Sequence, residues 1–213
     1  SLNKKVDLSD FVDSNDLIPI QGRVDEIRCN NGFTLDARQY LAVQRYTEYN
    51  TKLDDDGNEQ FYYDKVAFLM HGVGTGKTVS SLAMGLTHLK QENLKNALKI
   101  LIIAPKGLFR ASFLSDAEGM KIYTYAVKSY SSEIDGKEII VEDCEGLIMP
   151  IKNNRNLQFK IQFISIDYDS FIEGGPEVLY TQYGTDFSPD VIICDEAHRL
   201  LNNAFNIKNS WYI

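Results

Sequence analysis

The chain contains 213 residues, which is enough for one compact domain with a substantial core. Apolar residues make up 44% of it and charged residues 24%, as in ordinary globular proteins. The net charge of −8 argues against a general polyanion-binding surface, so a nucleic-acid partner has to be argued from specific motifs. The longest aliphatic run, ILIIA at residues 100–104, is far too short to span a bilayer, and we expect no membrane partner.

The cysteines and the N-terminus predict the compartment. Three scattered cysteines, Cys29, Cys144 and Cys194, form no C-x-x-C pair, which is typical of free thiols in a reducing, intracellular compartment. The first residues, SLNKKVDLSD, lack the apolar core of a signal peptide and lack an initiator Met. We therefore expect a soluble, intracellular piece of a longer polypeptide.

The N-terminal part predicts one helix between two polar segments. Residues 1–34 are polar without a sustained period and predict an extended lead-in. Residues 35–49 predict a helix with Asp36 in its first turn. The apolar face of that helix would be formed by Leu35, Tyr40, Leu41, Val43 and Tyr46. TKLDDDGNEQ at residues 51–60 predicts a solvated loop built on an Asp-Gly turn.

A strand, a glycine-rich loop and a helix follow in order. KVAFLM at residues 65–70 is a short continuous apolar run, which predicts a strand buried on both faces. TVSSLAMGLTHLKQ at residues 78–91 has helical spacing of its apolar residues. ALKILIIAP at residues 97–105 predicts a second buried strand ended by Pro105, and GLFRASFL at residues 107–114 predicts the start of another helix.

The second half of the chain adds strands and defines the fold class. KEIIVED at residues 137–143 and LIMPIK at residues 147–152 predict short strands of a β-hairpin-like insertion at about 115–160. FKIQFISI at residues 159–166 and DVIICDEA at residues 190–197 predict two more buried strands. Four buried strands, the first two joined through a helix, predict an α/β fold with a mainly parallel sheet flanked by helices.

The stretch HGVGTGKT nearly matches the phosphate-binding pattern G-x-x-x-x-G-K-[ST], with His71 in place of the first glycine. Glycines at a strand-to-helix turn let successive N–H groups form an anion nest, and the helix N-terminus adds partial positive charge. Lys77 would reach the β- and γ-phosphates, and the Thr78 hydroxyl would ligate Mg²⁺. The residues predicted to bind nucleotide are Gly72, Gly74, Thr75, Gly76, Lys77 and Thr78.

The alternative is a glycine-rich turn with an incidental Lys-Thr, which the placement between strand and helix disfavours. We assign His71 to the end of the strand rather than to catalysis.

A second pattern, VIICDEAH, places two carboxylates at the end of an apolar strand. Ligands of open α/β folds bind at that edge of the sheet. Asp195 can hold Mg²⁺, mostly through water, and Glu196 can polarise the water that attacks the γ-phosphate. The alternative is a helix N-terminus with acidic residues, which the helix dipole would also favour.

GVGTGKT and DEAH together resemble motifs I and II of superfamily 2 helicases and translocases of the DEAH-box type, whose N-terminal lobe is a RecA-like P-loop domain. LIIAPKGLFRASF resembles motif Ia, FISIDYDSF resembles the segment between motifs Ia and II, and LDARQYLAVQ resembles the upstream glutamine element. HGVGTGKT is especially similar to helicase-like ATPases of large DNA viruses, including early transcription factor and nucleoside triphosphatase relatives. The resemblance covers roughly residues 35–203.

The resemblance implies further roles for single residues. Gln39 would bind adenine through two hydrogen bonds, with Gln44 as a rival and a plain surface glutamine as the alternative. Lys106 and Arg110 follow a strand and would touch a nucleic-acid backbone, although solvated basic residues explain them as well. His198 would couple hydrolysis to a partner lobe, or else be a polar residue at a helix start.

The resemblance also implies a domain organisation. Residues 35–213 would form a first RecA-like lobe, incomplete at its C-terminus and preceded by the lead-in at residues 1–34. No S-A-T-like motif III and no Q-x-x-G-R-x-x-R stretch is present, so we expect a second lobe in the same polypeptide and weak ATP hydrolysis by this lobe alone.

Our leading hypothesis is therefore an ATP- and Mg²⁺-dependent helicase or translocase acting on DNA or RNA, in the cytoplasm, nucleus or virion. A second hypothesis is a nucleotide-switched assembly or transcription factor with vestigial hydrolysis, in contact with transcription machinery. A third, a small-molecule P-loop kinase, is disfavoured by the D-E-A-H sequence.

Overall fold

The computed structural model describes residues 6–7, 19–22, 26–28, 34–49, 51–61, 67, 69, 76–148 and 158–197. The predicted strand at residues 65–70 lies outside the described residues except for Ala67 and Leu69, and Leu69 packs against the main core. Among the helices described, none combines the length and the apolar character needed to cross a membrane.

The described chain contains runs of consecutive strands separated by helices. The strands are β1 (Val6–Asp7), β2 (Pro19–Gly22), β3 (Glu26–Arg28), β4 (Thr34–Asp36), β5 (Thr51–Leu53), β6 (Glu59–Phe61), β7 (Leu98–Ala104), β8 (Ile122–Ile134), β9 (Lys137–Ile148), β10 (Phe159–Asp167) and β11 (Val191–Cys194). The α-helices are α1 (Ala37–Tyr49), α2 (Lys77–Leu86), α3 (Ser115–Gly119), α4 (Tyr168–Gly174) and α5 (Glu177–Tyr183). A 3-10 helix covers Gln91–Leu94, and a π-helix at Phe109–Leu114 runs into α3. The helices predicted at residues 35–49, 78–91 and 107–114 are thereby confirmed, the second of them ending earlier than predicted.

Within the described residues, five strands form the central sheet in the order β11-β7-β10-β9-β8. β11 and β10 both pair with β7 in parallel, whereas β9 pairs antiparallel with β10 and β8 antiparallel with β9. The predicted strands at residues 97–105, 159–166 and 190–197 correspond to β7, β10 and β11. A parallel centre flanked by helices confirms the predicted α/β class and is consistent with a RecA-like domain.

The centre of the sheet is buried on both faces. Leu98, Ile100 and Ile102 of β7 belong to one core, which also contains residues of α1, α2 and α3. Leu101 and Ile103 of the same strand belong to a second core with residues of α4 and α5. Because successive side chains of a strand point to opposite faces, a strand between two helical layers carries an unbroken apolar run.

A β-hairpin lies within the predicted insertion and extends the central sheet through β10, but its arms, β8 and β9, are not the two segments that were predicted. The two short strands predicted at residues 137–143 and 147–152 are a single strand, β9, as far as Ile148, and residues 149–152 lie outside the described residues. Gly146 does not end the strand, because it lies inside the sheet where a Cβ would come within 3.3 Å of Ile122 Cγ2. The other arm, β8, was not predicted, since most of its side chains are exposed and carry no apolar period.

The predicted lead-in and the predicted loop also contain short strands. β1, β2, β3 and β4 pair antiparallel in chain order, and their lengths of two to four residues are too short to show a period-2 pattern. β5 and β6 pair across the Asp-Gly turn at residues 51–60. The Asp54 carboxylate accepts the N–H groups of Asp56 and Asn58 there, as an Asx turn does.

A buried polar pair joins α1 to the segment after α2. Tyr46 of α1 shares a hydrogen bond with Nε2 of His88, whose residue surface is only 3% exposed. Burial lowers the pKa of His88 to about 4 and raises the pKa of Tyr46 to about 12. Both side chains are therefore neutral at pH 7.

The pKa of His88 predicts a loss of stability in acid. The unfolded chain protonates His88 near pH 6.5, whereas the folded protein resists protonation until about pH 4. Neutral His88 therefore leaves the free energy of unfolding at its full value above pH 6.5. As the pH falls from 6.5 to about 4, the free energy of unfolding decreases by about 3 kcal/mol in total. Urea unfolding of wild type and of His88→Gln from pH 7 to pH 4 checks this, because the carboxylates common to both cancel in the difference. A difference between the two proteins that stays constant over this range would contradict the prediction.

Candidate nucleotide-binding site

The described part of the predicted phosphate loop is its junction with α2. Gly76 precedes the helix with φ 71° and ψ 34°, a left-handed conformation that favours glycine. The helix begins at Lys77, and its first hydrogen bond runs from the Ser80 N–H to the Gly76 carbonyl at 3.1 Å. No side chain in the described part of the chain caps this helix start. The N–H groups of its first turn are therefore available to an anion.

The remaining loop positions lie outside the described residues. These are His71, Gly72, Gly74 and Thr75. Their predicted part in the phosphate cradle stays a prediction.

Gln39 lies beside the loop, whereas Gln44 is buried within α1 with 5% exposure. The Gln39 side chain accepts the Asp36 N–H through Oε1 at 3.0 Å, and its Nε2 approaches the Gly76 carbonyl at 3.5 Å. The Asp36 carboxylate in turn accepts the N–H groups of Arg38 and Gln39 at 2.8 and 2.9 Å. These reciprocal bonds form a capping box, which fixes the start of α1 and directs Gln39 at the loop.

The Asp-Glu pair follows β11 directly. The Asp195 N–H donates to the Ile103 carbonyl at 2.9 Å and so continues the parallel ladder by one residue. The Asp195 carbonyl accepts a hydrogen bond from the Tyr168 hydroxyl. Glu196 is exposed and has φ 55°, a left-handed conformation that costs a non-glycine residue roughly 1–2 kcal/mol. Such strain is found preferentially at functional sites.

Two contacts place the start of α2 at the same edge of the sheet as this pair. Near the C-terminal end of α2, Gly85 lies against Val191 at the beginning of β11. A Cβ at Gly85 would be 3.7 Å from Cγ1 of Val191. At the N-terminal end, the Thr78 Oγ1 lies 3.4 Å from the Oγ of Ser112, which follows the end of β7. The helix therefore runs against the direction of β11. Lys77 and Thr78 lie at the edge where Asp195 and Glu196 emerge.

The two basic candidates differ in their surroundings. Lys106 is exposed, two residues beyond the end of β7. Arg110 forms an ion pair with Glu142 of β9 and therefore links the π-helix to the hairpin. A phosphate bound by Arg110 would have to compete with that carboxylate. His198 lies outside the described residues.

Sequence reasoning missed two hydroxyl groups at this site, those of Ser112 and Tyr168. Both lie in segments quoted above for their resemblance to helicase motifs, FRASF and DYDSF. Neither residue belongs to a recognisable spacing pattern. Ser112 contacts Thr78 and Tyr168 contacts Asp195, and these partners are distant in sequence and close only in the folded chain.

The mostly parallel sheet flanked by helices, with the start of α2 and the acidic pair at one of its edges, is consistent with a RecA-like α/β domain. A sequence model of the family described as type III restriction enzyme, res subunit, matches residues 33–211, and the chain belongs to this family. No curated protein and no solved structure gives a significant match to the chain. The family is helicase-like and related to superfamily 2, which supports an NTP-dependent enzyme in general and nucleic acid as its general class of partner.

The contact of Gly76 with Gln39 predicts the effect of a side chain in the loop. A Cβ at Gly76 would lie 2.3 Å from the Gln39 Nε2, so alanine adds a clash to its backbone strain. Gly57 is the matched control, because it also has positive φ and a Cβ there meets nothing within 4 Å. We expect Gly57→Ala to cost about 1 kcal/mol, and Gly76→Ala to cost about 1 kcal/mol more because the Gln39 cap is displaced.

Urea unfolding measures both costs, and a double-mutant cycle with Gln39→Ala isolates the clash. The effects of Gly76→Ala and Gln39→Ala should be less than additive. Strict additivity would show that Gln39 is not what the new methyl group meets.

Proposed function

We propose that the chain is the first ATP-binding lobe of an ATP-dependent nucleic-acid helicase or translocase of superfamily 2. The observation that carries the proposal is the convergence of the Lys77 end of α2 and the Asp195-Glu196 pair on one edge of a parallel sheet. The family match over residues 33–211 supports it, since it spans both elements.

The residues at this edge fit a magnesium-bound nucleotide. Gly76 has no side chain, and the first turn of α2 offers N–H groups to a phosphate. Lys77 would add a positive charge, while the Thr78 hydroxyl and the Asp195 carboxylate are oxygen ligands of the kind Mg²⁺ prefers. When bound, Mg²⁺ would neutralise charge on the phosphate oxygens.

Glu196 would act on the attacking water. Its exposed carboxylate follows the metal-binding position by one residue, and its left-handed backbone turns it away from the direction of the strand. It would orient the water and accept its proton. Asp195, Glu196, Ala197 and His198 spell D-E-A-H, so we assign the chain to the DEAH type and give His198 the coupling role. The similarity to ATPases of large DNA viruses stays a prediction.

The adenine and the nucleic acid would be bound by neighbouring segments. Gln39 already lies at the loop, where its amide approaches the Gly76 carbonyl. On nucleotide binding, this amide would leave that carbonyl and form hydrogen bonds with the adenine base. Lys106 would contact the phosphate backbone. A second RecA-like lobe of the same polypeptide would close over the nucleotide, and its closing and opening would move the pair along a strand.

Two substitutions test the chemistry in the full natural polypeptide. Lys77→Ala should abolish ATP hydrolysis and weaken binding of a fluorescent ATP analogue. Glu196→Gln should keep binding and lower kcat by about 10²-fold or more, because it removes only the proton acceptor. Glu177→Gln, an exposed glutamate on α5, is the control and should match wild type.

Hydrolysis with and without DNA or RNA completes this test. Wild-type hydrolysis that no nucleic acid stimulates, together with an unaffected Lys77→Ala variant, would refute the helicase proposal. Nucleotide binding without any hydrolysis would favour the nucleotide-switched assembly factor instead.

Lys106 and Lys95 test the nucleic-acid contact. Both are exposed lysines, but Lys106 follows the carboxyl end of β7 and Lys95 precedes its amino end. We expect Lys106→Gln to weaken binding of single-stranded DNA or RNA and to lower the slope of log K against log salt by about 1. Lys95→Gln should leave the slope unchanged. Equal slopes for both variants and wild type, measured by fluorescence anisotropy, would remove Lys106 from the interface.

A further inference from the structure

We propose that Tyr168 is a positioning residue that holds the Asp195-Glu196 peptide in place through its hydroxyl. Its effect on hydrolysis depends on the function proposed above, whereas its effect on the peptide does not. Neither the motif resemblance nor the family match assigns a role to this tyrosine.

The backbone of Tyr168 is fixed by the end of β10. Asp167, the last residue of that strand, pairs in register with Ala104 of β7 and caps α4. Its carboxylate accepts the Ser170 N–H at 3.0 Å and the Ser170 hydroxyl at 2.8 Å. Tyr168 therefore starts α4 at the level where the parallel strands end.

The ring of Tyr168 is fixed as well. The residue is 2% exposed and belongs to the core that contains Ile103, Ile166 and Phe171. A buried hydroxyl is costly unless it has a partner, and this one donates to the Asp195 carbonyl. The ring packs in the core and orients the hydroxyl towards the Asp195 carbonyl.

The main chain of Asp195 is held from two strands. Its N–H donates to Ile103 on β7, and its carbonyl accepts from Tyr168 after β10. That carbonyl belongs to the peptide plane that leads into Glu196, whose φ is 55°. Fixing this plane limits rotation of the backbone between Asp195 and Glu196, from which both carboxylate side chains branch.

The Tyr168→Phe variant removes only the hydroxyl. Tyr183→Phe is a matched control, because Tyr183 packs against the same core and its hydroxyl donates to Asp143 at 2.7 Å. Asp143 keeps a bond from Gln162 at 2.9 Å in that variant. Both variants lose one phenol hydrogen bond, but only one of these bonds reaches Asp195.

The first readout needs no nucleotide. Amide hydrogen exchange of the peptide covering residues 191–197 should be about tenfold faster in Tyr168→Phe than in wild type, and unchanged in Tyr183→Phe. Equal protection of this peptide in Tyr168→Phe and wild type would overturn the proposal, as would equal loss in both variants. This result stands even if the protein proves to hydrolyse no nucleotide.

The second readout is catalytic and uses the full natural polypeptide. Tyr168→Phe should lower kcat about tenfold with the KM for ATP within about twofold, since orientation is disturbed more than binding. Tyr183→Phe should retain the wild-type kcat well below its unfolding temperature. Faster exchange with an unchanged kcat would overturn the catalytic part, while an inactive wild type would instead refute the proposed function.

Discussion

The parallel register of β11, β7 and β10 is the constraint on which the site depends. Asp167 pairs with Ala104 and Cys194 with Ile103, so the three strands end within one residue of each other. Carboxyl ends of parallel strands meet at one edge, and the described chain continues from that edge into the π-helix after β7, into α4 after β10 and into the acidic pair after β11. β7 is buried between two cores, and a slip by one residue would exchange the side chains that it presents to each core and so disrupt the packing on both faces.

The antiparallel hairpin strengthens one side of this frame. Ion pairs join Arg110 to Glu142 and Lys137 to Glu173, so the hairpin is tied to the π-helix and to α4. Both pairs have an exposed partner, and each contributes little to stability by itself. The buried carboxylate of Asp143 is bonded by Gln162 and Tyr183 and fixes the hairpin against β10 and α5 more firmly. Arg110 therefore links the π-helix to the hairpin, a contact that its position in the sequence did not indicate.

Burial explains which elements the sequence predicted. β7 carries an almost continuous apolar run because both its faces are buried, and α2 carries apolar residues at helical spacing, so both were predicted. β8 lies at the edge of the sheet with mostly exposed side chains, so it has no such period and was missed. The choice between Gln39 and Gln44 remained open in the sequence, although the spacing of Asp36 and Gln39 is that of a capping box. Tyr168 could not be found at all, since its contact with Asp195 depends on the order of strands.

The two hydroxyl contacts at the sheet edge share one feature, which is that each joins segments distant in sequence. Ser112, in the π-helix after β7, lies against the predicted metal ligand Thr78 at the start of α2. Tyr168, at the end of β10, bonds the residue after β11. Thr78 and Asp195 are thus each contacted by the helix that follows a different strand. If nucleic acid binds at Lys106 as proposed above, a movement of the segment from Lys106 to Ser112 would act directly on Thr78. Coupling between nucleic acid and nucleotide would then require no long pathway, because this segment already contacts the start of α2.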